Sequence, residues 1–246
     1  MKKIILASLL ALAPMVSLAA GAGPQLDKAG IDLTDKASLQ RGAGHFFNYC
    51  VGCHSLKFMR YNRMSQDLGI SEEVLNSTIL PSYKKAGDTI TVSMPADLGK
   101  KWFGKAPPDL SVTARYRGTD WIYTYLRTFY LDEKRPYGVN NLVFPDVGMP
   151  HVLWELEGAK KAVYKTETNA EGNEHQVFEG FEQVKPGKLT PAEYDRFARD
   201  LTNFLTYVAE PVRVEREKMG IWVILFLLVF TGVAYLLKKE YWKDVH

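Results

Sequence analysis

Residues 50 to 54 read Cys50-Val51-Gly52-Cys53-His54, and the rest of the chain is best read outward from them. The pattern Cys-x-x-Cys-His is the attachment signal for a c-type haem. Two thiols three residues apart on a helical turn reach the two vinyl groups of one porphyrin as thioethers, and the next residue, His54, projects its imidazole to the iron. A thioredoxin-like redox pair calls for a βαβ setting, which the flanking sequence lacks. A zinc site needs two further ligands, and His45, His151, His175 and His246 show no paired spacing. A disulfide across two residues is strained. The 246 residues hold only these 2 cysteines, which excludes a disulfide-stapled scaffold.

A second strong axial ligand makes such a haem an electron carrier, whereas an open position permits gas or peroxide chemistry. Two methionines stand before prolines in loop-like sequence, Met94 in Ser93-Met94-Pro95 and Met149 in Gly148-Met149-Pro150. Residue chemistry alone leaves these two level. Met59 and Met64 are too near the attachment turn to cross the porphyrin, and His151 is a distant third candidate that reads rather as a surface residue.

Around the motif the pattern is mainly α. Thr34 to Tyr49 reads as a helix delivering the cysteines, although Gly42 and Gly44 are poor helix formers. Residues 81–112, rich in Pro, Gly and Lys, read as loop. Thr119 to Leu131 reads as a short helix with Trp121, Ile122, Tyr125, Leu126 and Phe129 on one face. Val163 to Val184 alternates around Ala170-Glu171-Gly172-Asn173, which predicts an inserted hairpin. Thr190, Pro191 and Glu193 form a capping box ahead of the stripe Tyr194, Phe197, Leu201, Phe204, Leu205 and Val208, a core face ended by Pro211.

Both ends carry address information. Lys2-Lys3, the apolar run Ile4 to Val16 and small residues near 20 predict a signal peptide over residues 1–22. Ile221 to Leu237 is free of charge and apolar on every side, with Lys238-Lys239 beyond it, which predicts a membrane anchor over 219–238. The expected order is therefore signal, a haem domain over 23–218, the anchor, and a tail over 239–246. The signal puts the haem domain in the periplasm of a bacterial inner (cell) membrane and the C-terminus in the cytoplasm. Setting aside the charges at the two ends, bases and acids balance, so the net charge of +3 points to no nucleic acid. The half from 119 to 219 is the more acidic, with Glu167, Glu171, Glu174, Glu179 and Glu182 in the hairpin region.

An ordered set of motifs then resembles the cytochrome c1 family, the haem subunits of the ubiquinol–cytochrome c reductase (cytochrome bc1) complex. The pieces are Arg41-Gly42; Cys50 to Ser55; Pro107-Pro108-Asp109-Leu110-Ser111; Arg115 with Arg117-Gly118; Gly148-Met149-Pro150; and Ala209-Glu210-Pro211 leading through Lys218-Met219-Gly220 to the anchor. The resemblance implies a cytochrome c-like haem domain with loop and hairpin insertions and one covalent haem c. It implies Cys50 and Cys53 as thioethers, and His54 and Met149 as axial ligands. It further implies Arg117 or Arg115 at a haem propionate, Arg117 being the better match, and the Pro107-Pro108 carbonyls as acceptors for the His54 N–H. The family often has a second glycine after the arginines and a second cysteine pair; here Gly118 is followed by Thr119 and no further cysteine occurs.

The implied role is electron transfer within the reductase complex, with no bond-making chemistry of the subunit's own. Cytochrome b, a Rieske iron–sulfur protein, membrane lipid and an accepting cytochrome c are the implied partners. An anchored cytochrome c shuttle is the nearest alternative, but such heads usually run nearer 100 residues. A haem enzyme or sensor would want a distal acid–base pair, and no His–Arg pair of that kind is legible.

Overall fold

The computed structural model describes residues 25–244 apart from 93 and 169–171. The expected signal segment and the last two residues of the tail lie outside the described residues. In chain order the elements are α1 (Lys36–Tyr49), β1 (Leu56–Arg60), α2 (Tyr61–Leu68), α3 (Glu72–Val74), a π-turn (Leu75–Ile79), β2 (Thr89–Ile90), α4 (Ala96–Phe103), α5 (Thr113–Arg117) and α6 (Thr119–Arg127). There follow β3 (Phe129–Leu131), β4 (Val139–Asn141), α7 (Trp154–Glu157), β5 (Gly158–Thr168), β6 (Glu174–Pro186), α8 (Pro191–Ala209) and α9 (Arg213–Tyr241). About 48% of the described residues are helical, and among them the strands form three antiparallel pairs, β1–β2, β3–β4 and β5–β6.

The core is built on the crossing of α1 and α8, where Phe46, Leu201 and Phe204 are sealed from solvent together with Leu56, Met59 and Met64. Asp35 caps α1 by accepting from the Ser38 N–H at 3.0 Å. Glycine costs a helix about 1 kcal/mol relative to alanine, but a Cβ at Gly42 would lie 2.1 Å from the Asp200 carbonyl and 2.7 Å from Phe204 Cβ. Gly42 is there because the two backbones touch. The buried Asp200 carboxylate at that crossing accepts from Ser38 Oγ at 2.6 Å and from Arg41 Nε at 2.6 Å. The Arg41-Gly42 pair is thus a helix-crossing device. On α8, Thr190 and Glu193 form the expected reciprocal cap with Pro191 in the first turn.

Three expectations are corrected. Residues 81–112 are not all loop, since Pro95 and the left-handed Gly104 (φ +74°) bracket the helix α4. Thr119 to Leu131 is not one helix. After α6, Thr128 Oγ1 bonds back to the Thr124 carbonyl at 2.8 Å, and Phe129 buries its ring from a strand paired with Asn141. The inserted hairpin is longer than Val163 to Val184, because β5 and β6 already pair at Gly158 and Pro186.

The anchor helix α9 has 29 residues, about 43 Å at the usual rise, which exceeds the ~30 Å hydrocarbon core. Every large apolar side chain from Ile221 to Leu237 is exposed. An isolated apolar helix of this length is a single-pass membrane anchor in form.

Candidate haem site

The attachment motif is the continuation of α1. The N–H of Cys50 reaches Phe46 O, and those of Cys53 and His54 both reach Cys50 O, folding the five residues into one tight turn. Both thiols are partly buried and not joined to each other. Burial, with Cys53 close by, pushes the Cys50 thiol up to about 12, the opposite of the lowered value that marks a redox-active thiolate.

His54 Nδ1 lies 2.7 Å from the Pro108 carbonyl. A carbonyl only accepts, so Nδ1 carries the proton and donates, and Nε2 is left with its lone pair. Burial is the largest influence on the ring and lowers its pKa, opposed by the Pro108 contact and Asp109, so the neutral form is favoured. The segment after Pro108 clamps the strand that follows the motif. Asp109 Oδ2 accepts from Lys57 N–H at 2.9 Å, Ser111 Oγ accepts from Phe58 N–H at 3.1 Å, and Leu110 N–H donates to Ser55 O at 2.9 Å. Ser55 Oγ in turn accepts from Val92 N–H at 2.9 Å. The roles of Ser55, Asp109 and Ser111 were not read from the sequence, although Asp and Ser beside prolines are the residues that bond nearby backbone in turns.

The two candidate methionines fall in different surroundings. Met94 lines a cavity of about 220 Å³ with Cys53, Lys57, Pro107 and Asp109. Met149 sits in the loop from β4 to α7, and its sulfur accepts from the Tyr125 hydroxyl at 3.3 Å. The chemistry of this donor set fits a covalent haem: paired thiols, an oriented imidazole and a thioether on a separate loop.

That loop is held by side chains that sequence reasoning passed over. Asn141 Oδ1 accepts from Val143 and Phe144 N–H at 3.1 and 3.2 Å, while its Nδ2 donates to Tyr125 O at 2.8 Å. Asn140 Oδ1 accepts from Asp146 N–H at 2.9 Å, at a residue with φ +62°. His151 is not a surface residue as expected. It is buried, stacked on Phe129 with centroids 4.8 Å apart. Its Nε2 is 2.9 Å from Glu157 Oε2, although the pair is not aligned as a hydrogen bond. Glu157 also pairs with the buried Lys160, whose pKa is lowered mainly by burial.

The two arginines diverge. Arg115 lines a cavity of about 280 Å³ with Thr206, Glu210 and Arg213, where the head meets α9. The Arg117 guanidinium lies over the rings of Trp121, Tyr116 and Phe144 at 4.9, 5.1 and 5.5 Å. Trp121 stacks on Tyr125 at 5.0 Å, so Arg117 belongs to the aromatic wall that contacts Met149.

Comparison with known proteins accounts for this assembly. The family described as Cytochrome C1 family matches residues 28–245. The cytochrome c1 of Allochromatium vinosum is 55% identical over 246 residues, 100% of each chain. The chain belongs to the cytochrome c1 family. It is accordingly the haem electron-transfer subunit of the bc1 complex and carries one covalent c-type haem. The cytochrome c1 of Rhodospirillum rubrum is 28% identical over 93% of this chain and 94% of its own. A Nitrosomonas europaea protein named ammonia monooxygenase gamma subunit is 46% identical over 100% of this chain and 99% of its own.

Proposed function

We propose that Cys50 and Cys53 hold the haem as thioethers, that His54 Nε2 is the proximal ligand and that the Met149 sulfur is the distal one. The His54–Pro108 contact carries this reading. It occupies one imidazole nitrogen as a donor and leaves the other with a free lone pair, on the residue directly after the two thiols. Such outer hydrogen bonds fix the tautomer of a ligating histidine and raise its basicity. Pro108 therefore acts through its carbonyl, and Asp109 and Ser111 keep it in register.

The same contact favours Met149 over Met94. With Nδ1 taken by the Pro108 carbonyl, Nε2 would be the nitrogen that meets the iron, and residues beside Pro108 would then lie behind the ligand. Met94 shares its cavity with Pro107 and Asp109, on that same side. Met149 is contacted instead by α6 through Tyr125. Arg117, over the aromatic wall next to Met149, is the better partner for a propionate; Arg115, next to Glu210 at the anchor, is the second candidate.

When bound, the haem supplies a one-electron iron couple. His54 and Met149 would be the side chains that hold the iron, one from the attachment turn and one from the β4–α7 loop. We read residues 23–218 as a cytochrome c-like haem domain, 219–238 as the anchor and 239–246 as the tail, after an export signal over 1–22. An exported head puts the haem domain in the periplasm and the tail in the cytoplasm of a bacterial cell membrane. There cytochrome b and a Rieske iron–sulfur protein are its partners, and the electron leaves to a cytochrome c. The chain is the electron-transfer part of the reductase and makes no substrate bonds itself.

Two measurements test the ligand set. The Cys50→Ser/Cys53→Ser double variant should lose haem staining on denaturing gels, and retained staining would refute thioether attachment. Met149→Leu should abolish the sulfur-to-iron charge-transfer band of the oxidised protein, while Met94→Leu keeps it. The reverse result would exchange their roles.

A further inference from the structure

We infer that the Tyr125 hydroxyl tunes and positions the distal ligand, by donating a hydrogen bond to the Met149 sulfur that raises the potential of the iron couple. This rests on the reading of Met149 as axial ligand. A thioether sulfur has two lone pairs, so one is available to the iron and the other to a donor. The Tyr125 hydroxyl is 3.3 Å from that sulfur, a distance suited to a sulfur acceptor.

The donor is held rigidly. Its ring stacks on Trp121 at 5.0 Å with planes 12° apart, and meets the edge of Phe129 at 5.1 Å. Its carbonyl accepts from Asn141 Nδ2 at 2.8 Å. Asn141 is fully buried and its other end holds the start of the Met149 loop through Val143 and Phe144. One side chain therefore ties together the helix that carries the donor and the loop that carries the acceptor. Neither the resemblance nor the spacing of residues pointed to this hydroxyl, since Tyr125 read only as one member of an apolar helix face.

The consequence follows from donor strength. A hydrogen bond draws electron density from the sulfur, so the sulfur gives less to the iron. The ferric state depends more on that donation than the ferrous state, and the reduced form gains relative to the oxidised one. The bond would also leave one particular lone pair of the sulfur for the iron.

Tyr125→Phe keeps the ring and its stacking and removes only the hydroxyl. In the full-length haem-loaded chain, potentiometric titration should give a lower midpoint potential for Tyr125→Phe. The charge-transfer band of its oxidised form should persist at a displaced wavelength. Tyr123→Phe is the control, because that ring faces Arg127 and Arg199 at 4.6 and 6.0 Å on another side of α6, and it should leave both readouts unchanged. A merely structural role for Tyr125 would alter unfolding and leave the potential where it was. An unchanged potential in Tyr125→Phe, or an equal shift in Tyr123→Phe, overturns the inference. Survival of the band in Met149→Leu would instead overturn the ligand reading beneath it.

Discussion

The two sides of the proposed haem site are built by different means. On the proximal side the contacts run through backbone carbonyls: that of Cys50 folds the turn locally, and that of Pro108, 54 residues away in sequence, orients His54. On the distal side the methionine rides on a loop whose shape depends on buried side chains of Asn140, Asn141, His151, Glu157 and Lys160. A turn closed by its own backbone forms wherever the motif is presented for attachment. A loop closed by buried side chains of β4, α7 and β5 forms only once those elements have packed together. Attachment and distal ligation should therefore be separable by mutation.

The largest separable effect is expected at Glu157. Its carboxylate is the charged partner of Lys160, and both side chains are 9% exposed. Removing one member of a buried ion pair leaves the other charge unmatched, at a cost of about 3–5 kcal/mol. Glu157→Ala should lower the denaturation midpoint of the haem-loaded protein and weaken the sulfur charge-transfer band, with haem staining retained. Staining lost together with the band would show that the distal side is needed for attachment, and the contrast between the two sides would fail.

Gly42→Ala probes the support of the proximal side. Alanine is favoured over glycine in a helix by about 1 kcal/mol. Here the new methyl would meet the Asp200 carbonyl at 2.1 Å, and backbone does not yield as a flexible side-chain end would. Overpacking of this kind costs about 1–3 kcal/mol. The variant should be less stable by denaturant unfolding, with the potential little changed. A stabilised variant would mean that α1 and α8 can move apart without loss.

This contrast also explains what could be read in advance. The attachment turn and the α8 cap were legible because each is a local pattern with a local mechanism, as in Thr190 accepting from Glu193 N–H. Pro108 was reached only through the family resemblance, since nothing in 54 or 108 alone says that they meet. His151 was misjudged because a lone histidine carries no mark of burial. Its ring is enclosed by Phe129 and faced by Glu157, contacts created by β3 and α7. Gly42 looked like a defect in a helix until Asp200 was found beneath it, and α4 was hidden in a stretch whose glycines and prolines are its start and stop.

The smallest effect concerns His45, one turn before the attachment motif on α1. Its ring stacks on Phe197 of α8 at 3.9 Å, and burial lowers its pKa below the usual 6.5, with Asp200 pulling it up and Arg41 adding to the fall. The unfolded chain therefore binds a proton at a higher pH than the folded one. Above the unfolded value both states are neutral at this site and it has no pH dependence. As the pH falls through 6.5 toward the folded value, the unfolded state takes up more protons and stability drops. His45→Phe keeps an aromatic ring against Phe197 and removes the titration. Unfolding free energies measured from pH 7.5 down to 5 should fall less steeply in the variant than in the parent, and the two curves should converge in slope above pH 7. Parallel curves throughout would show that the proximal helix is held without regard to this proton, leaving the pH response of the head to its carboxylates.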